Sequence, residues 1–363
     1  MMINFDISEE QLRKEVENYE ENKKVVIWGS GICAEQFLAK LPMVNKFIMC
    51  YVDKSKSKWG KCIDGKDIVS PEVFFERYAD STDVLFIATM YFEEILKEIK
   101  IHKYKGAIYS AFHIVFRYGQ LDYRPLETHI NECKGMFCDE RSKYLLDFIL
   151  DHRKRMDIDY NEICEPDQYF LSSIVPVVDD AVFVDGGAYH GETIDEFIKF
   201  QNGKYHKIYS FEMDKNNYKI LQKRKQNANI HLLNYGLWDE RTQCSYTSDE
   251  TSSSLSSNQM GEDEMTAECI SLDEAMGEEK VTLIKMDIEG AEKRALIGAK
   301  KCIERWKPDL AICVYHKPED IYELTKMIHE WLPEHKLYLR HHCWNFTETV
   351  LYAINPERDL NNF

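Results

Sequence analysis

The sequence lacks an excess of basic residues, with 46 Lys and Arg against 63 Asp and Glu and a formal net charge of −17. Nucleic acids and anionic membranes attract proteins through a basic face, so this balance argues against non-specific binding to either. Runs of roughly 20 apolar residues, the length that crosses a bilayer, are also missing. The segment Met1–Glu21 is acidic and amphipathic, unlike a signal peptide. We therefore expect a cytoplasmic protein without membrane insertion.

Paired cysteine motifs are absent as well. Eleven cysteines are scattered along the chain, with no Cys-x-x-Cys among them. This usage favours reduced, mostly buried thiols over disulfides. Because the ligand spacing of a zinc site is also missing, we predict no metal. With 44% hydrophobic and 30% charged residues the composition is that of a globular protein, and 363 residues suggest two domains.

The most distinctive stretch is Val182–Thr193, which reads Val-Phe-Val-Asp-Gly-Gly-Ala-Tyr-His-Gly-Glu-Thr. Its apolar, β-branched start fits a buried strand. The glycines that follow allow a sharp turn and the close approach of a ligand. From Glu192 onwards the apolar spacing is helical. Strand, glycine loop and helix together open a dinucleotide-type α/β unit.

Asp185, at the end of this strand, indicates the kind of ligand. A carboxylate there would repel a pyrophosphate and would suit a cationic ligand. S-adenosylmethionine (SAM) carries an ammonium, a sulfonium and no phosphate. The alternative is a glycine turn with a solvated Asp185, because glycine fingerprints often match by chance.

A second glycine loop occurs near the N-terminus. Lys24–Trp28 reads as a strand, Gly29–Ala34 as a Gly-x-Gly-x-x-Ala loop, and Asp53 takes the position that commonly meets a ribose hydroxyl. We predict a Rossmann-like α/β domain over residues 1–112 and a mostly helical connector over 113–164. Since no acid follows the first strand, this loop could bind a phosphate ligand. The alternative is a degenerate Rossmann-like fold that serves only as a scaffold.

Residues 165–363 form the predicted main domain, in which strands and helices alternate strictly. Four strand ends carry acids or polar groups, at Asp185, Glu212, Asn234–Gly236 and Asp287. In an open parallel sheet these ends line one crevice. A carboxylate at position 212 can accept hydrogen bonds from ribose hydroxyls, which serves NAD as well as SAM. We further expect a mobile loop over Ser245–Gln259 at the mouth of the pocket and one helix reaching Arg305.

Motifs in this second half resemble the FkbM family of SAM-dependent methyltransferases over roughly residues 165–354. The most specific is Lys-Met-Asp-Ile-Glu-Gly-Ala-Glu, which chance rarely supplies after a glycine loop. The motifs are Gln168–Phe170, Val184–Ala188, Phe211-Glu212, Ser271–Glu274, Ile284–Glu292 and Tyr315–Asp320.

The resemblance implies an α/β fold with a C-terminal seven-stranded class I methyltransferase sheet, whose last strand is antiparallel, after a smaller Rossmann-like domain. It also implies methyl transfer, typically to an oxygen of a sugar or a natural product. Leading domains of this kind occur beside sugar-modifying enzymes, which hints at glycan modification by fold analogy alone. The cofactor-binding residues that we predict are Tyr169, Asp185, Gly186, Gly187, Ala188, Glu212, Met213, Asn234 and Gly236.

Methyl transfer to an alcohol requires a base near the acceptor. Asp287 and His316 follow adjacent strands and are the predicted catalytic residues. Asp287 fits equally a helix cap, a contact to the methionine part of SAM or a metal ligand, and His316 fits a loop histidine without chemistry. Glu289 and Glu292 favour a solvated or dipole-matched first helical turn over a metal pair.

Two other functions fit the sequence. The first is an enzyme that uses NAD or a nucleotide sugar at Gly29–Ala34, although no Tyr-x-x-x-Lys pair follows that loop. The second is a non-catalytic nucleotide-binding protein. His341 and His342 fit the acceptor side of the pocket or a strand cap. The expected partner is a small-molecule or glycan acceptor and not nucleic acid, and self-association is left open.

Overall fold

A computed structural model describes residues 2–4, 7–89, 92–115, 123–155, 159–224, 227–248, 253–256 and 265–358. The chain divides into two compact units, one of Met1–Leu121 with His152–Asp157 and one of Asp122–Asp151 with Ile158–Phe363. The predicted boundaries at 112 and 164 stay predictions. Within the described ranges, no helix combines the length and apolar composition needed to cross a membrane.

The first unit is built on a seven-stranded sheet of order β1-β7-β6-β2-β3-β5-β4, parallel except for β4 against β5. This confirms the predicted Rossmann-like fold and adds β1 and the β4–β5 hairpin, which the sequence pattern did not predict. The strands are β1 (Met2–Asn4), β2 (Val25–Trp28), β3 (Ile48–Val52), β4 (Cys62–Ile63), β5 (Lys66–Val69), β6 (Val84–Ile87) and β7 (Ala107–Ser110). The helices are α1 (Glu9–Glu17), α2 (Ile32–Lys40), α3 (Pro71–Arg77), α4 (Phe92–Ile101) and α5 (Ala111–Val115).

The glycine loop of this unit is closed by its own chain. Gly29 has φ +105°, and a Cβ there would lie 2.5 Å from the carbonyl oxygen of Ala88. The carboxylate of Asp53 accepts hydrogen bonds from the backbone N–H groups of Ser30, at 3.1 Å, and Ser55, at 2.9 Å. Lys58 Nζ lies 3.2 Å from the same carboxylate. A ribose at Asp53 would therefore compete with several donors of the protein itself.

The second unit contains another seven-stranded sheet, of order β10-β9-β8-β15-β16-β18-β17. Only β18 runs antiparallel to its neighbours β16 and β17, which is the predicted class I topology. The strands of this sheet are β8 (Val182–Gly186), β9 (Lys207–Phe211), β10 (Ile230–Leu233), β15 (Leu283–Met286), β16 (Asp309–Cys313), β17 (Lys336–His341) and β18 (Thr349–Ile354). The helices are α6 (Tyr123–Lys134), most of α7 (Glu140–Arg155), α8 (Glu192–Phe200), α9 (Lys215–Arg224), α10 (Leu272–Met276), α11 (Glu292–Ile297), α12 (Lys300–Trp306) and α13 (Asp320–Trp331).

Both faces of the central strands are buried, which explains their nearly continuous apolar sequence. Val184 and Ile284 pack on one face, in a core shared with Leu145 of α7. Phe183 and Leu283 point to the other face and pack with Phe197 of α8. Because side chains alternate along a strand, polar groups are concentrated where the strands end, at the edge that forms the site.

A second, smaller sheet of order β11-β14-β12-β13 replaces part of the loop predicted over Ser245–Gln259. Its strands are β11 (Gly236–Leu237), β12 (Thr242–Ser248), β13 (Ser253–Ser256) and β14 (Met265–Ile270). Tyr246 of β12 is 1% exposed and donates a hydrogen bond to Asp214 at 3.2 Å, which fixes this strand. The prediction of a mobile loop was therefore wrong for the two strands, and 249–252 and 257–264 lie outside the described residues.

The helix predicted to reach Arg305 is broken into α11 and α12. The carbonyl of Gly298 accepts a hydrogen bond from the N–H of Asp273 at 2.8 Å, and a Cβ at this glycine would lie 2.1 Å from the carbonyl oxygen of Trp238. Asp273 also accepts the N–H of Cys302 at 2.8 Å. Close packing at a glycine thus ends one helix, and a side-chain carboxylate caps the next.

Candidate functional site

A cavity of about 290 Å³ lies at the carboxyl ends of β8, β9 and β15. Five of the predicted site residues line it, namely Gly187, Glu212, Met213, Gly236 and Asp287. The other lining residues are Tyr189, Phe211, Asn217, Tyr235, Leu237, Ile288, Glu289, Ala291, Tyr315 and Glu348. The cavity has a mixed wall of apolar side chains and carboxylates, as small-molecule sites commonly do.

The glycine loop after β8 approaches the next strand end closely. Gly187 has φ +78°, and a Cβ there would lie 2.0 Å from the carbonyl oxygen of Asp287. A Cβ at Gly186 would lie 2.9 Å from Leu237. Ala188 is buried in the core, and its N–H donates to the carbonyl of Phe211 at 3.0 Å. Gly187 therefore forms the cavity wall, while Gly186 and Ala188 support it from behind.

Asp185 is fully buried and is not part of the cavity wall described above. Lys285 Nζ lies 3.2 Å from its carboxylate and donates hydrogen bonds to the carbonyls of Gly186, at 3.1 Å, and Gly187, at 2.8 Å. Burial raises the pKa of Asp185, and Lys285 counteracts this effect. Instead of facing a cationic ligand as predicted, Asp185 neutralises the lysine that holds the glycine loop.

Glu212 follows β9 and Asp287 follows β15, so the two carboxylates lie on either side of β8 in the sheet order. The two oxygens of Glu212 accept the backbone N–H groups of Tyr189 and Asp214, each at 2.8 Å. Burial raises the pKa of Glu212 to about 7, although these hydrogen bonds favour the charged form. Each carboxylate oxygen keeps a further lone pair, so the group can still accept ligand hydroxyls.

Asn234 supports the backbone that carries the Glu212 carboxylate. Its side-chain amide donates to the carbonyls of Glu212, at 2.8 Å, and Met213, at 3.2 Å. A Cβ on Gly236 would lie 2.8 Å from Cys269 Sγ. Asn234 therefore fixes the backbone that presents Glu212 and Met213, and Gly236 lets the chain pass close to β14.

Asp287 accepts a hydrogen bond from the hydroxyl of Tyr169 at 2.8 Å, and that of Tyr315 lies 3.1 Å from Asp287 and 3.3 Å from Glu348. Burial alone would raise the pKa of Asp287, but Lys285, His316 and the Tyr169 hydrogen bond hold it below its usual value. Tyr169 is itself buried outside the cavity wall. The residue that precedes α11 is Ala291 and makes no side-chain cap, so Asp287 is not a helix cap.

His316 lies behind Asp287 and has a side chain only 8% exposed. Its Nε2 is 3.5 Å from carboxylate oxygens of Asp287 and Glu289, and its Nδ1 is 3.1 Å from Glu292. Burial lowers the pKa of His316, yet these carboxylates together raise it well above the ordinary value. The surroundings favour the imidazolium form, contrary to the neutral base that we expected. Its catalytic role stays a prediction.

Glu292 differs most from its predicted environment. It is fully buried, and one of its oxygens accepts the N–H of Ile288 at 2.8 Å. Of the two predicted alternatives for this turn, the solvated one is therefore wrong for Glu292, whereas its position in the first turn of α11 fits the dipole-matched one. The chain reaches α11 through Glu289 and Gly290, with φ of +55° and +90°, which folds the helix start against His316.

His341 and His342 serve the strands around them. The Nδ1 of His341 lies 2.9 Å from the hydroxyl of Thr349 on the neighbouring strand. His342 contacts the carbonyl of Glu165 and the hydroxyl of Tyr352, each at 2.9 Å. Both contacts support the second sequence-based alternative, in which these histidines stabilise a strand end.

Sequence reasoning missed Lys285 and Glu348. Lys285 precedes Asp287 by two positions in a buried strand, and its charge in such a strand signals a buried partner. Glu348 directly precedes β18, the antiparallel strand, so its start lies beside the carboxyl end of β16. Only the antiparallel topology places Glu348 at the edge where the other strands end.

Comparison with known families agrees with this geometry. Residues 185–339 match the family model of the methyltransferase FkbM domain, and residues 21–107 match the model named C2185-like, N-terminal. No curated protein matched the chain. The crystal structure of methyltransferase FkbM from Methylobacillus flagellatus KT is similar over 94% of this chain and 92% of its own, with a TM-score of 0.68 and 23% identity. This likeness shows a shared fold.

Two other solved structures overlap with about half of the chain. An rRNA methylase from Streptococcus thermophilus is 17% identical over 49% of this chain and 87% of its own, with a TM-score of 0.32. Fibrillarin from Aeropyrum pernix, in complex with natively bound S-adenosyl-L-methionine, is 13% identical over 50% of this chain and 69% of its own, with a TM-score of 0.33. These two matches are too weak to support an argument. The family models confirm the resemblance predicted from the motifs: residues 185–339 of this chain match the FkbM methyltransferase domain, and residues 21–107 match the C2185-like N-terminal domain.

Proposed function

We propose that the second unit is a SAM-dependent methyltransferase that methylates a hydroxyl oxygen of a sugar, a glycan or a small natural product. The observation that carries this proposal is the arrangement of the cavity between two acidic ends. Glu212 marks one end, and Asp287 with Glu348 marks the other. The glycine loop around Gly187 lies between them, where the methyl-donating part of the cofactor would pass.

The Glu212 end suits the nucleoside of SAM. Its carboxylate is held by two backbone N–H groups and faces the cavity, so the two ribose hydroxyls can donate to it. Met213, Tyr235 and Leu237 line the same cavity. Apolar and aromatic side chains of this kind form the walls on which an adenine ring packs.

The opposite end suits an acceptor that carries hydroxyl groups. Asp287, Glu289 and Glu348 present carboxylates to the cavity, and these accept hydrogen bonds from alcohols but repel anionic groups. The proposed acceptor is therefore a neutral polyhydroxylated molecule. In the transfer, the acceptor oxygen attacks the methyl carbon, the carbon–sulfur bond breaks and its electron pair stays on sulfur, which leaves neutral S-adenosylhomocysteine.

Glu348 is the best-placed group to receive the hydroxyl proton. It lines the cavity, whereas the predicted base His316 lies behind Asp287. Burial and the charge of Asp287 raise the pKa of Glu348 to about 7, near the value at which a general base works best. Asp287, with a lowered pKa and two tyrosine hydroxyls beside it, is better suited to orient the acceptor.

Calorimetry on the full chain tests the proposed function directly. We expect saturable binding of SAM and of S-adenosylhomocysteine, each at one site, and no competition by NAD. A screen with methyl-labelled SAM against neutral sugars and hydroxylated natural products would then identify the acceptor. Binding of NAD without binding of SAM would instead support the rival nucleotide-dependent enzyme.

A further inference from the structure

Three side chains of types that can bind metal ions converge beside the cavity. One ligand atom each of Asp287, Glu292 and His316 lies within 4.8 Å of the other two. Ligands bound at about 2.0–2.2 Å to a common ion lie up to about 4.4 Å apart, so small side-chain rotations would complete a shell. Donor atoms from two loops and a helix start therefore already have nearly the spacing of a metal site.

Two of these side chains are buried and lack hydrogen bonds at atoms that point into the cluster. Neither ring nitrogen of His316 makes a directed hydrogen bond with any residue that the structure describes, although the side chain is only 8% exposed. Within the same described ranges, Oε2 of the fully buried Glu292 has no hydrogen-bond partner. Buried polar atoms are normally satisfied, so these atoms have capacity left to bind a ligand.

The charge of the cluster also favours a cation. Nε2 of His316 lies 3.5 Å from both Asp287 and Glu289, and Nδ1 lies 3.1 Å from Glu292. Asp320 is 2% exposed and interacts electrostatically with Glu292. Of two lysines near the cluster, Lys317 donates through its ammonium group to the carbonyl of Gly290, and Lys285 pairs with Asp185. The carboxylates thus outnumber the cationic groups around them, and two of them, Glu292 and Asp320, are buried.

We propose that this cluster binds one divalent transition-metal ion through Asp287, Glu292 and one imidazole nitrogen of His316. A mixed imidazole and carboxylate set suits Mn²⁺, Fe²⁺ or Zn²⁺ better than Ca²⁺. Asp287 and Glu289 line the cavity, so the open positions of the ion would face a bound acceptor. There it would bind the acceptor oxygen and favour its deprotonation, with the proton passing to Glu348. This role rests on the proposed function, whereas metal binding itself does not.

Titration of the chelator-treated full chain with Mn²⁺, followed by the EPR signal of the free ion, tests the proposal. We expect one bound Mn²⁺ per chain and a loss of affinity of at least about tenfold in both Glu292→Gln and His316→Gln. The matched controls are Glu304→Gln and His231→Gln, at exposed positions, and both should bind like the wild type. Equal binding in all five proteins, or no saturable binding in the wild type, would overturn the proposal.

Pulsed EPR of the wild-type Mn²⁺ complex keeps the test valid where a variant folds poorly. An imidazole ligand should give nitrogen modulation from His316, and spectra with oxygen ligands alone would contradict the assignment. SAM calorimetry on the same chelator-treated protein separates the two proposals. SAM binding without Mn²⁺ binding would remove the metal and keep the methyltransferase, whereas Mn²⁺ binding without SAM binding would do the reverse.

Discussion

The two units contain the same local pattern, a strand, a glycine loop and an acid after the second strand, yet they use the acid differently. In the first unit, Asp53 accepts hydrogen bonds from Ser30 and Ser55 and pairs with Lys58. In the second unit, Glu212 accepts two backbone N–H groups and lines a cavity. Each acid accepts a backbone N–H of its own glycine loop, and Glu212 in addition lines the cavity.

This contrast shows that a glycine fingerprint does not by itself distinguish a ligand site from a scaffold. The deciding features are the donors next to the acid. One serine hydroxyl, two backbone N–H groups and a lysine satisfy Asp53 locally, whereas Glu212 keeps acceptor capacity towards the cavity. We therefore expect the second unit to bind the nucleoside and the loop of the first unit to have a structural role.

Breaking the ion pair between Lys285 and Asp185 should have the largest effect on the stability of the protein. Lys285→Met leaves the carboxylate of Asp185 buried without its cation, which typically costs about 3–5 kcal/mol in the free energy of unfolding. Denaturant unfolding of the full chain measures this loss. The double variant with Asp185→Asn should regain part of the stability, and a Lys285→Met protein as stable as wild type would mean that the pair contributes little.

Next in size is the close approach at Gly187. Gly187→Ala places a Cβ 2.0 Å from the carbonyl oxygen of Asp287 at a positive φ, so the loop must shift. We expect SAM binding below detection by calorimetry and a loss of stability of about 1–3 kcal/mol. Gly31→Ala in the first unit is the matched control, since no described atom lies within 4 Å of its Cβ position. Equal effects of the two changes would contradict the comparison.

Truncation of Glu212 and of Asp53 should affect the affinity for SAM differently. Glu212→Ala should weaken SAM binding by about 1.5–3 kcal/mol, the usual scale for hydrogen bonds to a charged group. Asp53→Ala should leave SAM affinity unchanged, because its carboxylate serves its own loop. Calorimetry on both variants at one pH gives the comparison, and a larger loss in Asp53→Ala would reverse our assignment of the two loops.

A change of pH should have a smaller effect on the affinity for SAM. The pKa of Glu212 is raised to about 7, and ribose hydroxyls donate to the charged form. SAM affinity should therefore fall as pH drops below 7, by at most about tenfold per pH unit. The stability contribution of this group has the opposite sign, being greatest below its unfolded pKa and lost as pH rises through 7. Glu212→Gln should flatten the affinity profile between pH 6 and 8, and an unchanged profile would assign it to another group.

The periodicity of the sequence predicted most strands and helices, because buried parallel strands are continuous apolar runs. The strand pattern also predicted that Glu212 and Asp287 lie at one cavity, since parallel strands end at the same edge of a sheet. Pattern alone could not reveal the burial of Glu292, which depends on two left-handed residues before α11. Nor could it show that Lys285 neutralises Asp185, because that contact joins neighbouring strands 100 positions apart.

Hydrogen exchange of the full chain with and without SAM tests most directly whether the second glycine loop, and not the first, holds the nucleoside. We predict SAM-dependent protection in peptides that cover 183–193 and 207–214, where the loop and Glu212 lie. Peptides that cover 25–35 and 48–58 should exchange at unchanged rates. Protection confined to the first unit, or no protection in the second at saturating SAM, would contradict the account.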